Sequence, residues 1–154
     1  MTVVVLGADL RGSVVVGDDG SAESAHAVRW AIGEARTYRC TLVVLRAWSL
    51  TTAPRPATWE PGYVPGEDEF GAAVRDALVD DLRAILGDDP GVHIDYLPVH
   101  ATPDEALVAA TREARLVVVG SHGRHLARAR LGSTAEHVVR NAHGPVVVVP
   151  VTGH

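Results

Sequence analysis

The chain has 154 residues, enough for one domain with its own core, and its 47% hydrophobic and 21% charged residues exclude an intrinsically disordered protein. Its formal net charge of −5 argues against nucleic acid as a partner, because binding to a phosphate backbone requires a basic face. All 14 basic residues are arginine, which excludes a Walker-type phosphate loop and Schiff-base chemistry, since both require lysine.

The single cysteine, Cys40, excludes an internal disulfide and favours a reducing compartment. No apolar run is long enough to span a bilayer, and the first residues lack the basic region of a signal peptide. These features predict a cytoplasmic protein with no membrane partner. Residues 1–12 are predicted to be an N-terminal tail, with 1–11 either loose or forming a small extra strand, and 13–151 to be a single domain.

The first half of the domain alternates apolar runs with a helical pattern. Residues 13–17 are nearly all apolar, as in a parallel strand covered on both faces, and an Asp-Gly-Ser turn follows with Ser21 as a helix N-cap. Apolar residues at helical spacing predict a helix over about 22–38. A second buried strand is predicted over 42–45.

Residues 49–66 contain four prolines, which exclude regular structure and predict a long connection. Such connections are often functional. Trp59 and Tyr63 in this segment either fold over a ligand or pack against the following helix.

The second half begins with an amphipathic helix marked by Phe70 to Ile85, followed by a strand over 92–96. A helix capped by Thr102 and a strand over 116–119 come next. The chain then continues with a helix starting at Ser133 and a strand over 146–151. Alternation followed by Pro98 places the strand over 92–96 at a sheet edge. The two later helices are predicted to begin with capping boxes that Glu105 and Glu136 complete.

This alternation predicts an α/β fold of three layers, a five-stranded parallel sheet with helices on both faces. Ligands of such sheets bind beyond the carboxyl ends of the strands, where the strand order reverses. If the first strand lies beside the fourth, Asp19 and the loop after Gly120 face each other across one crevice. The last strand would be a long apolar edge, so we expect 146–151 to pair with its own copy in a homodimer.

A basic, glycine-bounded loop follows the strand over 116–119 and precedes a helix. Gly120, Gly123 and Gly132 expose backbone N–H groups, and the helix dipole adds positive potential, as in anion-binding sites. The cationic and titratable side chains of this loop are His122, Arg124, His125, Arg128 and Arg130. The pattern predicts an anionic ligand, with a merely solvated basic loop as the alternative. A metal site is disfavoured because no third ligand lies beside the two histidines.

Several motifs together resemble the universal stress protein family over about residues 13–151. They are VVVGDDGS at 14–21, TPDEAL at 102–107, VVVGSHG at 117–123, LGS at 131–133, and Pro145 followed by a valine strand. The resemblance implies a flavodoxin-like fold that holds ATP, or alternatively AMP or ADP, between the first strand and the glycine loop, with Mg²⁺ accompanying ATP. The nucleotide-binding residues implied are Gly17, Asp19, Ala47, Val119, Gly120, His122, Gly123, Arg124, Gly132, Ser133 and Thr134.

By this resemblance Asp19 would accept a hydrogen bond from the adenine side, Gly17 and Ala47 would help to wall the base and ribose, and the glycine loop would receive the phosphates. Two features depart from the family pattern. Eight residues, 124–131, precede Gly132 where the family's ATP-binding loop has nine. Asp18 occupies a position that is often apolar in the family, and a second carboxylate there would repel a polyphosphate.

The resemblance implies a homodimeric regulatory protein of the stress response that binds an adenine nucleotide. One alternative is a slow ATPase or nucleotide-dependent transferase that uses the same crevice. Another is an interaction module without nucleotide, because the glycine loop is one residue short. Gly-Ser-His-Gly at 120–123 is not a nucleophile elbow, and no pair of residues stands out as general acid and base, so no catalytic residue is assigned.

Overall fold

A computed structural model describes residue 4 and residues 6–121 and 131–150. The elements of this part of the chain are β1 (Val14–Gly17), α1 (Ala22–Tyr38), β2 (Leu42–Trp48), α2 (Glu67–Leu86), β3 (Ile94–His100), α3 (Pro103–Thr111), β4 (Leu116–Gly120), α4 (Ser133–Asn141) and β5 (Val146–Val149). None of these helices combines the length and the apolar character that crossing a bilayer requires.

The five strands form one parallel sheet in the order β3-β2-β1-β4-β5, which confirms the predicted fold. The chain builds β1, β2 and β3 in one direction and then returns to add β4 and β5 on the other side of β1. Strand order therefore reverses between β1 and β4, which pair directly, with Val16 in register with Val118. In sheets with such a reversal, ligands bind in a crevice at the carboxyl ends of the two strands, here β1 and β4.

Each face of the sheet carries its own apolar core because strand side chains alternate between the faces. On one face, Val14 and Val16 pack with residues of α1 and α2. On the other, Val15 and Val117 pack with residues of α3 and α4. We call these the α1–α2 face and the α3–α4 face. Burial on both sides explains why the strands are continuous apolar runs.

The ends of α1 follow the predicted span. Ser21 is the N-cap, and its side chain accepts a hydrogen bond from the Ser24 N–H at 3.1 Å. The helix ends at Tyr38, and Arg39 takes a left-handed conformation with φ 53° while its N–H bonds to the Ala35 and Arg36 carbonyls. The boundaries predicted from periodicity and capping are confirmed.

The helix marked by Phe70 to Ile85 is α2, which begins at Glu67, where the N–H of the N-cap Gly66 donates to Glu69 Oε2 at 2.8 Å. One predicted strand boundary requires correction. The strand β3 covers Ile94–His100 and not 92–96. It continues through Pro98 because β3 is an edge strand, where a missing N–H breaks no ladder on its outer side.

The start of α4 also differs from the prediction. Gly132, not Ser133, is the N-cap, and Ser133 is the first helical residue. Gly132 has no side chain to cap the helix, and Glu136 instead binds Arg140, one turn further along the helix, with an N–O distance of 3.0 Å. The predicted capping box of Ser133 and Glu136 is therefore wrong.

Part of the segment before β1 packs on the domain. Leu10 is fully buried in the core of the α3–α4 face, and Val4 and Leu6 pack against the same core. Arg11 forms an antiparallel bridge with Ala114. Residues 6–11 thus have tertiary contacts with the α3–α4 side of the molecule.

Candidate functional site

The candidate site lies at the carboxyl ends of β1 and β4. The strand β1 ends at Gly17 and runs into a turn formed by residues 18–21, which we call the β1–α1 turn. The strand β4 ends at Gly120 beside Val149 of β5. Since β1 and β4 are neighbours, the residues that follow Gly17 and Gly120 lie on the two sides of the crevice.

Asp19 lies in the β1–α1 turn and is exposed. Its Oδ1 accepts a hydrogen bond from the Ser21 N–H at 2.9 Å, an Asx-type contact that shapes the start of α1. This contact places the Asp19 carboxylate in the turn that directly follows β1. Carboxylates accept hydrogen bonds, and exocyclic amino groups are among the donors they bind.

The neighbouring Asp18 has a different environment. Its backbone N–H continues the pairing with β2 by donating to the Leu45 carbonyl at 3.0 Å, and its side chain is 2% exposed on the α1–α2 face. Asp18 Oδ2 accepts from Arg46 at 2.6 Å, and Arg46 also bonds to Asp81 at 2.9 Å. The expected repulsion of a polyphosphate by Asp18 is therefore offset, because Arg46 neutralises its charge within the protein.

Arg46 was not among the residues that the sequence analysis selected. Burial opposes its charge, but Asp18 and then Asp81 outweigh that effect, so the pKa of Arg46 is raised above its ordinary value. A signal was present in the sequence: Arg46 is the charged residue of the strand Leu42–Trp48, on the same face as Val44. Asp18 follows the neighbouring strand β1, and its side chain lies on the same face of the sheet as those of Val14 and Val16.

The other side of the crevice is formed by the end of β4 and the start of α4. The Gly132 N–H donates to the Ser121 carbonyl at 2.7 Å, and the Ser121 N–H donates to the Val149 carbonyl at 3.0 Å. These bonds hold the N-terminus of α4 against the carboxyl end of the sheet. Ser133 is exposed and Thr134 half-buried in the first turn, where helix N–H groups favour an anion.

The predicted wall residues lie on the α3–α4 face. Val119 is buried there, and Ala47 is half-buried against the same core. A Cβ on Gly17 would lie 3.0 Å from Leu107 Cδ1 of α3. Close packing on α3 therefore also accounts for glycine at this position.

Eight of the predicted residues lie at or near the carboxyl ends of β1, β2 and β4 or in the first turn of α4: Gly17, Asp19, Ala47, Val119, Gly120, Gly132, Ser133 and Thr134. The other three, His122, Gly123 and Arg124, lie outside the described residues, as do His125, Arg128 and Arg130. Within the described ranges, no three His, Cys, Asp or Glu side chains converge as metal ligands.

The long connection over 49–66 packs against α2 through its aromatic residues. The Trp59 ring meets Phe70 edge-on with centroids 5.6 Å apart, and the Tyr63 hydroxyl donates to Glu69 Oε2 at 2.8 Å. Trp48 stacks on His100 with centroids 4.2 Å apart, a contact the sequence analysis missed although both residues end neighbouring strands. Of the two interpretations of Trp59 and Tyr63, packing on the next helix describes the contacts seen.

Comparison with known proteins identifies the family of the chain. A model of the universal stress protein family matches residues 11–150. Universal stress protein Rv2005c from Mycobacterium tuberculosis is 37% identical over 142 residues, covering 88% of this chain and 47% of that protein. The chain therefore spans about half the length of the curated relatives it matches.

Solved structures of the same family share the fold. A universal stress protein in complex with cAMP is 27% identical, with a TM-score of 0.63, and the match covers 93% of this chain and 99% of that one. A universal stress protein from Archaeoglobus fulgidus in complex with dAMP is 22% identical, with a TM-score of 0.59, over 90% of this chain and 98% of that one. The second likeness concerns the fold alone.

Proposed function

Since the chain belongs to the universal stress protein family, we propose that it binds an adenine nucleotide, ATP or alternatively AMP or ADP, in the crevice between β1 and β4. The proposal rests on one observation: the β1–α1 turn and the N-terminus of α4 follow the carboxyl ends of two neighbouring strands. The turn offers a carboxylate to a base, and the helix offers N–H groups to a phosphate. The 27%-identical relative solved with cAMP supports this choice of ligand.

In the proposed complex Asp19 accepts a hydrogen bond from the adenine amino group. Gly17, Ala47 and Val119 line the base and ribose. The phosphate-binding residues are Gly120, His122, Gly123, Arg124, Gly132, Ser133 and Thr134. The glycine N-cap of α4 fits this role, because it places no side chain between the helix N–H groups and an anion. Mg²⁺ would accompany ATP, neutralising charge that the helix N-terminus leaves uncompensated.

Nucleotide binding is tested first on the protein as purified. We denature it and identify any released nucleotide by mass, then measure the Kd for AMP, ADP, ATP and cAMP by calorimetry with and without Mg²⁺. Asp19→Ala should weaken binding by about tenfold or more, as loss of a hydrogen bond to a positioned partner does. Asp80→Ala, an exposed carboxylate of α2, is the matched control and should bind like the wild type. An absence of binding to all four nucleotides would refute the proposal.

We propose that the protein acts in the cytoplasm as a regulator of the stress response, through nucleotide occupancy and not turnover. Its partners would be the nucleotide and a second copy, and not nucleic acid or a membrane. Phosphate release from ATP and Mg²⁺ should stay at the background rate. Turnover that Asp19→Ala abolishes would instead favour the slow ATPase.

We also propose a homodimer through residues 146–151. The strand β5 is a sheet edge that pairs with β4 alone among the described strands, and its valines are only partly buried. An apolar edge of this kind is suited to pair with a second copy. The Pro145 and Val149 carbonyls accept hydrogen bonds from backbone N–H groups of Val117 and Ser121, at β4. Because backbone groups alternate in direction along a strand, the N–H and carbonyl of Val148 point away from β4.

This orientation gives a sharp test of the dimer. Val148→Pro removes an outward N–H without breaking a bond to β4, whereas Val148→Thr keeps the donor and serves as the control. Sedimentation should show a dimer for the wild type and the control, and a folded monomer for Val148→Pro. A monomeric wild type, or a dimeric proline variant, would contradict the proposed interface.

A further inference from the structure

Asp18 and Arg46 form an ion pair within the α1–α2 face, beside the candidate site but outside it. Their side chains expose 2% and 15% of their surface. Asp18 Oδ2 accepts from Arg46 at 2.6 Å, and the same Arg46 nitrogen donates to Asp81 of α2 at 2.9 Å. We call Asp18, Ser24, Arg46 and Asp81 the Asp18 cluster.

The second carboxylate oxygen of Asp18 holds the β1–α1 turn. Oδ1 accepts from the Gly20 N–H at 3.0 Å and from the Ser24 hydroxyl at 2.6 Å. One carboxylate therefore joins the end of β1, the turn, the first turn of α1 and, through Arg46, both β2 and α2. Asp19 lies between the two turn residues that this carboxylate fixes, Asp18 itself and Gly20.

Stability alone does not explain this arrangement. A buried ion pair gains little over apolar side chains of similar volume, because desolvation offsets the attraction between the charges. In the described part of the chain, Arg46 Nε is also buried without a hydrogen-bond partner, which makes the free energy of folding less favourable. Val14 and Val16 precede Asp18 on the same face of β1, and their burial requires no desolvation of a charge.

We infer that Asp18 and Arg46 are positioning residues that hold the β1–α1 turn so that Asp19 faces the base of a bound adenine nucleotide. This inference rests on the proposed function. Arg46 donates to the Asp18 carboxylate and orients it in the interior, and Asp18 in turn accepts the Gly20 N–H. The cluster therefore acts on base selectivity through Asp19 and makes no contact with the nucleotide itself.

The test replaces the pair by apolar side chains, in the double variant Asp18→Val/Arg46→Met. This change fills the space but removes the acceptor for the Gly20 N–H. Asp18→Asn is a milder second variant, which keeps an oxygen for that N–H and loses the ion pair. Asp88→Val/Arg83→Met removes an exposed ion pair of 3.4 Å near the end of α2 and is the matched control.

Two measurements are made on each protein. The first is the Kd for AMP and for IMP, which lacks the adenine amino group. The second is the amide hydrogen exchange of residues 18–24 without nucleotide. In the double variant we expect AMP to bind about tenfold more weakly, the preference for AMP over IMP to disappear, and exchange at Gly20 and Ser21 to accelerate. Asp18→Asn should lie between the double variant and the wild type.

A double variant that keeps the wild-type preference for AMP would overturn the inference, even if its melting temperature were lower. Unchanged exchange at Gly20 would overturn it whether or not a nucleotide binds. A wild-type protein that binds neither AMP nor IMP would refute the proposed function and, with it, the role assigned to Asp19. The exchange data would then report separately on whether Asp18 holds the turn.

Discussion

Replacing Arg46 alone by methionine should destabilise the protein strongly. The substitution keeps most of the aliphatic volume but leaves the Asp18 carboxylate 2% exposed, with only the Gly20 N–H and the Ser24 hydroxyl as donors. Removing one partner of a buried ion pair costs about 3–5 kcal/mol. We therefore expect a loss of about 3–5 kcal/mol in the free energy of unfolding.

Urea unfolding of Arg46→Met and of the wild type at pH 7, followed by the fluorescence of the buried Trp48, measures this loss. The double variant Asp18→Val/Arg46→Met is the control. The Asp18→Val/Arg46→Met protein should lie within about 1 kcal/mol of the wild type, because no buried charge is left unpaired and Asp81, which loses its partner Arg46, is 50% exposed.

A loss below about 1 kcal/mol would show that the Asp18 carboxylate does not depend on Arg46 as its partner. A double variant as unstable as Arg46→Met would point to packing, and not to the carboxylate. Either result would refute the electrostatic account of the Asp18 cluster.

Three further substitutions test other parts of the fold by urea unfolding. Gly144→Ala should destabilise by about 1–3 kcal/mol, because a Cβ there would lie 2.6 Å from the Thr111 carbonyl oxygen; a loss near zero would mean that the backbone shifts freely. Leu78→Ala, at a fully buried position of the α1–α2 face, should cost about 2–5 kcal/mol, and a loss under 1 kcal/mol would contradict the assigned core. The pKa of Glu69 is lowered because the Tyr63 hydroxyl, and then a helix-capping N–H, donate to its carboxylate. The contribution of Glu69 to the free energy of unfolding is therefore present above the unfolded-state pKa and is lost as pH falls through the lowered pKa. Glu69→Gln should be less stable than the wild type at pH 7 and equal to it in acid, and a difference that persists in acid would exclude the carboxylate as its cause.

The fold was predictable because it depends on signals that are local in the sequence. Continuous apolar runs such as Leu116–Val119 indicate strands buried on both faces, and helical spacing with the Ser21 cap defines α1. The first residue of a helix was less predictable where only backbone groups form the N-cap. Gly66 caps α2 through its N–H and Gly132 caps α4 through its carbonyl, and neither has a side chain that signals a cap.

The place of the candidate site in the sheet was predictable because the strand reversal determines which strand ends are neighbours. The Asp18 cluster was not, because it joins side chains from four elements whose positions depend on the register of β1 and β2. Val14 pairs with Leu42 in that register, so the ends of the two strands carry Asp18 and Arg46 on one face. Sequence spacing alone contains no information on this pairing.

The Gly132 N–H donates to the Ser121 carbonyl, and the Ser121 N–H donates to the Val149 carbonyl. The start of α4 and the ends of β4 and β5 are therefore joined by consecutive backbone bonds. Side-chain substitutions at these positions keep the bonding groups, with the exception of proline, which removes an N–H. The composition of the first turn of α4 can therefore change, in evolution or by engineering, while the helix stays anchored at the same place on the sheet.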